Sequence, residues 1–495
     1  MPDHIQPYQW LDAPATPATP TLVSSPPDPG RPIWAVLSWI LGGVFLLAII
    51  LINQLPESEG AKPVPVAEIA APTIADPFTL TTKMMVKLGR GGMTIDAASM
   101  RQIASQVEMA AHTPLDKVRG AMALAELREP EDGLRMLDRI AAKDIDSDAL
   151  AGDIALVRTL LDDGPAALDE ASVERLIEHH GWFARLAMTR GKGADDPERR
   201  QLLAGGALVV GVAGLVLVLV VIGVLGGLGC AITAIVLAMQ GKLKRRFLPP
   251  APGGSVYLEM AGVLIACFLA MKLVLPLILH LAGVTEAQPA ITVSLGVQWS
   301  LVLVLLWPLV RGVGMTRWRM DLGLHAGRGF FTEVGAGVFM YLAGLPLLGL
   351  AVGLSLVLML LKQVVSQALF GEDAAPPTNP LLDLLTSASP GQIALFASLA
   401  IVWAPLVEET VFRGALYRHL RSRVGVASAV GLSALVFGLM HGYELLMLGP
   451  VISLGIVFAL MREWRSSLIP SITAHALHNA TVTLVLIMLL SAVRD

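Results

Sequence analysis

The chain contains little charge and almost no cysteine. Only 15% of its 495 residues are charged, the net charge is −4, and there are two cysteines. No basic block is interleaved with aromatic residues, which argues against a nucleic-acid-binding protein. Cys230 and Cys267 both fall within apolar runs, so we expect neither a disulfide framework nor a thiolate metal site.

Apolar residues dominate instead, at 54% of the chain. Several apolar runs are as long as the roughly 20 residues that cross a bilayer. The sequence therefore predicts an all-α, polytopic transmembrane helical bundle of about nine spans. The predicted spans are residues 33–52, 202–239, 256–281, 292–312, 329–361, 393–417, 424–441, 444–461 and 467–491. Two points stay open: whether 202–239 crosses once or twice, and whether the two short spans flanking Gly442 form a re-entrant pair.

The composition also divides the chain into regions. Residues 1–31 are rich in proline, which predicts a disordered tail, and residues 32–54 read as an uncleaved transmembrane anchor. Residues 57–200 are more charged and predict a linker and a soluble α-helical domain, with one weakly tetratricopeptide-like hairpin within Leu115–Ile140. Residues 202–246 hold the next span, and 256–491 hold the rest. We expect His179 and His180 to lie on the surface and to point in different directions.

Clusters of arginine and lysine predict the orientation. If every span crosses once, the clusters at 242–246, 317–328, 418–423 and 462–465 all fall on one side, which the positive-inside rule makes cytoplasmic. The N terminus is then cytoplasmic and residues 57–200 are extracytoplasmic. We expect a multi-pass protein of the cell membrane, as in a bacterial inner membrane.

Two adjacent carboxylates, Glu408 and Glu409, interrupt an apolar run. An ionisable residue at membrane depth costs about 2.5–3.5 kcal/mol on insertion scales and is read as functional. On a helix, Glu409 and Arg413 are four residues apart and share a face, whereas Glu408 is rotated away by about 100°. Glu409 and Arg413 are therefore predicted to pair, which leaves Glu408 available for chemistry.

Further polar residues follow in apolar surroundings. Phe437 and His441 lie near the end of one predicted span, and His475 and Asn479 share one helix face in the last. Each residue alone would fit a polar contact between helices. Together with Glu408, the residues His441, His475 and Asn479 make four such polar residues on three spans, which favours a functional site.

These motifs together resemble the CAAX prenyl endopeptidase and bacteriocin-processing (CPBP) family of intramembrane proteases. The resemblance covers about residues 256–491 and is best in the last ninety. It implies an endopeptidase in which Glu408 and His441 activate a water, while His475 and Asn479 stabilise the oxyanion. Glu409, Arg413 and Phe437 would support this site, and the substrate would be a peptide or protein at the membrane. The resemblance does not say whether that substrate is prenylated.

A zinc ion is the open question on cofactors. Glu408, Glu409, His441 and His475 are residue types that bind zinc, although they come from three spans and lack the helical His-Glu-x-x-His arrangement. We expect no required cofactor.

Two other functions compete with the peptidase. One is a non-catalytic scaffold or immunity-type factor, which binds a protein partner through residues 57–200. The other is a proton relay, which needs ionisable residues along several spans. Only Glu259, Lys272 and His280 qualify, and one span holds all three.

Overall fold

The computed structural model describes residues 25–54, 69, 72, 76–91, 95–145, 147–193, 195–284, 286–370, 385 and 388–494. These residues are mostly helical, and their only β-type pairing is an isolated bridge between Ser25 and Pro250. The predicted all-α polytopic bundle is confirmed. Residues 1–24 of the predicted tail and most of the linker after Pro56 lie outside the described residues.

A compact group of helices follows the first apolar helix. Its members are α2 (Pro77–Arg90), α3 (Ala97–Ala110), α4 (Pro114–Leu127), α5 (Pro130–Asp138), α6 (Asp148–Asp162), α7 (Glu170–His180), α8 (Trp182–Met188) and α9 (Pro197–Leu203). Helix α4 starts at a capping box between Thr113 and Asp116, with Pro114 in the first turn. Helices α4 and α5 lie within the stretch for which a helical hairpin was predicted. Buried side chains such as Val118, Leu124 and Phe183 give this group its own hydrophobic core.

The two adjacent histidines of this group differ from expectation. His180 is fully buried, and both rings meet the carboxylate of Asp153: His179 Nδ1 lies 2.7 Å and His180 Nε2 lies 3.1 Å from Oδ2. The two rings can share one oxygen because His179 uses Nδ1, the ring nitrogen closer to its backbone, and His180 uses Nε2, the more distant one. Burial opposes the charge on Asp153, yet hydrogen bonds from the histidines lower its pKa. The expectation of a surface pair pointing apart was wrong.

The membrane region contains eight helices long and apolar enough to cross a bilayer, counted over the described residues. The helices of this region are α1 (Pro32–Gln54), α10 (Gly206–Met239), α11 (Val256–Leu281), α12 (Ala287–Ser300), α13 (Trp307–Val310), α14 (Met315–Leu322), α15 (Phe330–Phe370), α16 (Pro390–Arg421), α17 (Val426–Leu439), α18 (Leu448–Arg465) and α19 (Ile469–Val493). Helix α12 continues through a 3₁₀ stretch into α13 as one span.

Two open points of the span prediction can now be compared with the structure. Helix α10 is continuous over its 34 residues, as expected for a single crossing. Helix α17 has only 14 residues, or about 21 Å at 1.5 Å per residue, which falls short of the hydrocarbon thickness of about 30 Å. Over the described residues, eight full-length spans and one short helix therefore take the place of the nine predicted spans.

Helix α1 belongs to the same packed core as the C-terminal helices. Ala35 of α1 is 4% exposed and lies in one hydrophobic cluster with Tyr257 and Trp403. Helix α1 also packs along α11. Helix α1 is therefore part of the packed membrane region, in addition to anchoring the soluble helices.

Residues 25–31, which the sequence placed in the disordered tail, make defined contacts. The Asp28 carboxylate is buried and lies 2.8 Å from Nε of Arg418, at the end of α16. Asp321 accepts from the same guanidinium at 3.1 Å, and the backbone N–H of Ser255 donates to Pro29 O at 2.9 Å. The prediction of a disordered tail was wrong for these residues. One buried ion pair and several backbone hydrogen bonds hold the segment in place, and neither kind of contact produces an apolar periodicity in the sequence.

We expect Asp28→Lys to destabilise the protein by about 3–5 kcal/mol. The change places a second cation against the buried Arg418, and an uncompensated buried charge has this cost. Thermal unfolding in detergent measures the loss, and Asp195→Lys, at an exposed position, is the matched control. Equal stability of the two variants would show that the contact with Arg418 contributes nothing.

Candidate active site

Helix α16 carries the two adjacent glutamates and is not a regular α-helix. It contains two π-helical stretches, Leu399–Trp403 and Glu409–Leu416, on either side of the α-helical segment Ala404–Glu408. Such stretches widen the helix and occur often at functional sites. Glu408 and Glu409 therefore lie where the helical geometry changes.

Glu409 forms the predicted pair with Arg413. Nη1 of Arg413 donates to Oε1 of Glu409 at 2.9 Å, and both side chains are 0% exposed. Nη2 of Arg413 donates to the carbonyl of Gly455 at 3.3 Å. The guanidinium also lies over the ring of Phe437 at 4.1 Å and near that of Phe458 at 5.2 Å. The pair joins α16 to α17 and α18.

Glu409 has a second partner that the sequence did not reveal. Nδ1 of His475, on α19, lies 3.0 Å from the same Oε1 of Glu409. The His475 ring stacks on Phe458 at 5.2 Å between centroids, and its Nε2 lies 4.0 Å from Oε2 of Glu408. Glu409 therefore fixes the ring of His475 so that its other nitrogen faces Glu408.

Glu408 is placed differently from its neighbour. Its side chain is 15% exposed, whereas that of Glu409 is fully buried. No arginine or lysine among the described residues forms an ion pair with Glu408, and its Oε2 has no hydrogen-bond partner there. Glu408, which the sequence predicted to be available for chemistry, therefore has no arginine or lysine partner among the described residues.

His441 lies just beyond the end of α17. Its Nδ1 lies 2.8 Å from the carbonyl of Phe437, so Nε2 is the nitrogen left for other contacts. The Phe437 ring contacts both histidines, 4.7 Å from His441 and 6.0 Å from His475 between centroids. Tyr443 also stacks on His441, at 6.2 Å. Phe437 thus contacts both imidazoles and packs against Arg413.

Asn479 is attached to α16 rather than to the glutamates. Its Nδ2 donates to the carbonyl of Ala400 at 2.8 Å. Ala400 lies in the first π-helical stretch, where the regular i→i+4 ladder is interrupted and a carbonyl can accept a bond from elsewhere. The neighbouring His478 instead meets the hydroxyl of Tyr341 on α15 at 3.3 Å. Asn479 keeps one amide N–H for another acceptor.

The four candidate zinc ligands can be compared with the arrangement of the described side chains. No group of three or more His, Cys, Asp or Glu residues among them is arranged to hold a metal ion. Oε1 of Glu409 already accepts from Arg413 and His475, and Nδ1 of His441 faces a carbonyl. The metalloprotease alternative therefore has no support in this arrangement.

Glu259 is one of the three ionisable residues of α11 that a proton relay would need. Oε1 and Oε2 of Glu259 accept from Ser255 at 2.6 Å and from Arg311 at 2.8 Å, respectively, and Trp307 donates to Oε2 as well. Glu259 is thus held by fixed partners.

Comparison with known proteins identifies the C-terminal region. Residues 390–481, which include α16, α17, α18 and the site residues of α19, match the family model described as type II CAAX prenyl endopeptidase Rce1-like. No curated protein and no solved structure was found to match the chain. This match over residues 390–481 confirms the resemblance to the CPBP family.

Proposed function

We propose that the protein is an intramembrane endopeptidase in which Glu408 activates a water molecule. The observation that carries this proposal is that the two adjacent glutamates have different partners. Glu409 is committed to Arg413 and His475, whereas the one basic group that forms an ion pair with Glu408 among the described residues is His475, with Nε2 at 4.0 Å. Two adjacent carboxylates in such different surroundings suit a structural role and a catalytic role.

In the proposed reaction, Glu408 takes a proton from water while the water oxygen attacks the peptide carbonyl carbon. His441, whose free nitrogen is Nε2, orients the same water. The carbonyl π electrons move to oxygen, and collapse of this oxyanion breaks the C–N bond as Glu408 returns the proton to the leaving amine. The products are a carboxylic acid and an amine, and no cofactor is consumed.

His475 and Asn479 are the proposed oxyanion donors. Because Nδ1 of His475 bonds to a carboxylate, a neutral ring would carry its proton on Nδ1 and have only a lone pair on Nε2. Donation from Nε2 therefore requires a doubly protonated ring. Glu408 and Glu409 then balance Arg413 and His475, two negative charges against two positive, which suits a buried site. Asn479 would supply its second amide N–H, and one such donor contributes about 3 kcal/mol in other oxyanion holes.

The experiment that tests this function compares peptides. Membrane fractions are taken from cells that express the wild-type protein or Glu408→Gln, and peptides that differ are identified by mass spectrometry. We expect uncut substrate to accumulate in the variant and its product termini to disappear. If both peptide sets agree while both proteins restore the phenotype of cells lacking the gene, the chain is a scaffold that binds a partner, and residues 57–200 are the first place to look for that surface.

We expect the peptidase activity to survive removal of metal. The reason is that the described residues contain no group of three or more His, Cys, Asp or Glu side chains arranged to hold a metal ion, and that Oε1 of Glu409 and Nδ1 of His441 are already engaged. Purified protein washed with a strong chelator should keep most of its turnover and contain far less than one zinc per chain. Turnover that disappears and returns only with added zinc would reverse this assignment.

We propose that the arginine clusters lie on the cytoplasmic side and the soluble helices on the other. Contacts of residues 25–31 with Ser255 and Arg418 bring the start of α1, the start of α11 and the end of α16 to one side, as this orientation requires.

The orientation can be tested by cysteine labelling. In a chain in which Cys230 and Cys267 are replaced by alanine, we expect Asp163→Cys to react with an impermeant thiol reagent in intact cells. Lys244→Cys should react only after permeabilisation. Labelling of Lys244→Cys in intact cells would show that the protein has the opposite orientation.

A further inference from the structure

A groove of about 360 Å³ runs between α1 and α11, away from the candidate active site. One wall is formed by Trp34, Ser38 and Phe45 of α1, and the other includes Gly262 of α11. Both walls are mostly hydrocarbon. Arg311, the residue that follows α13, lies at one end of the groove. The groove is an indentation in a surface that the proposed membrane would cover.

The length of the groove matches one leaflet of a bilayer. Trp34 and Phe45 are eleven residues apart on one helix, which corresponds to about 16 Å at 1.5 Å per residue. Half of a hydrocarbon core of about 30 Å is about 15 Å. An acyl chain from a single leaflet therefore has the right extent to lie along α1 and α11.

The polar end of the groove offers donors for a phosphate. Arg311 uses Nε and Nη2 on Glu259, whereas its Nη1 has no partner among the described residues, and the side chain is 35% exposed. Trp34 lies at the same end and is 48% exposed, and tryptophan is enriched at the interface between hydrocarbon and head groups. Nη1 can donate to a phosphate oxygen, while the charge of the guanidinium is shared with Glu259, which also lines the groove.

We propose that this groove binds one phospholipid, with an acyl chain along α1 and α11 and its phosphate on Nη1 of Arg311. The lipid comes from the leaflet on the side of the arginine clusters. A peptide fits less well, because both walls are helices whose backbone groups are bonded internally and leave the amides of an extended peptide unpaired. This inference does not depend on the proposed peptidase.

The test is native mass spectrometry of the full-length protein with added palmitoyl-oleoyl phosphatidylglycerol. Gly262→Leu fills the groove, and the nearest atom to a Cβ at this position is the Ser38 carbonyl oxygen at 4.0 Å, so the backbone need not move. Gly43→Leu is the matched control, because it lies on an exposed part of α1 with no atom within 4 Å of the new Cβ. We expect wild-type protein and Gly43→Leu to retain one lipid, and Gly262→Leu to bind it at least tenfold more weakly.

A second pair of measurements separates the head group from the chain. Wild-type protein should prefer phosphatidylglycerol to the matching diacylglycerol, and Arg311→Gln should lose that preference. Ser38→Phe, which fills the groove from the other wall, replaces Gly262→Leu if the latter fails to fold. The proposal is overturned if the filled groove keeps its lipid, or if diacylglycerol binds wild-type protein as tightly as phosphatidylglycerol.

Discussion

Glu408→Gln is expected to lower turnover of the purified protein by 10²-fold or more while leaving its stability unchanged or raised. The amide has the shape of the carboxylate but cannot take the proton from water, and general base catalysis contributes about 10²–10⁴-fold. Glu408 also forms no ion pair with an arginine or lysine among the described residues, so the loss of its charge has little cost in stability. Turnover and thermal unfolding in detergent measure the two quantities on one preparation.

Two further variants sharpen this result. His441→Ala should resemble Glu408→Gln, because both residues contact the same water in the proposed reaction. Glu174→Gln, on the exposed face of α7, is the matched carboxylate-to-amide change and should keep wild-type turnover. Full proteolysis by Glu408→Gln would refute the assignment of this residue as the base.

Glu409→Gln is expected to destabilise the protein by about 3–5 kcal/mol. The change leaves Arg413, which is 0% exposed, without its counter-charge, and an uncompensated buried charge has this cost. The ring of His475 also loses the carboxylate that holds Nδ1. The midpoint of chemical or thermal unfolding should therefore fall. This loss of stability is measured before any effect on turnover is interpreted.

The Lys362–Glu444 pair provides the control for this second prediction. Its atoms are 2.5 Å apart, but the side chains are 43% and 32% exposed. Exposed pairs contribute about 0–1 kcal/mol, so Glu444→Gln should cost little. If Glu409→Gln is as stable as Glu444→Gln while Glu408→Gln unfolds, the two adjacent glutamates have exchanged roles.

The pairing of Glu409 with Arg413 could be predicted because it is local. Two residues four apart on a helix meet regardless of what surrounds them, and the contact forms even in a π-helical stretch. The apolar runs were predictable for a similar reason, since length and composition alone decide whether a helix can cross a bilayer. Both predictions required no knowledge of which helices are neighbours.

The contacts that were missed connect distant parts of the chain. His475 and Glu409 are 66 residues apart, and Asp28 and Arg418 are 390 apart. Neither separation leaves a periodic signal in the sequence, because each contact depends on how several helices pack. The π-helical stretches of α16 were missed as well, since they add no residue type that distinguishes them from α-helix.

The packing of α1 against α11 has a consequence for how the chain is made. About 200 residues separate the two helices, and at 5–20 residues per second their synthesis takes roughly 10–40 s. During that interval α1 lacks its contacts with α11, yet it can persist in lipid because a helix satisfies its own backbone hydrogen bonds. Arg418, the partner of Asp28, is synthesised only 137 residues after the end of α11. The N-terminal contact therefore forms late in biosynthesis, when most of the protein has already entered the bilayer.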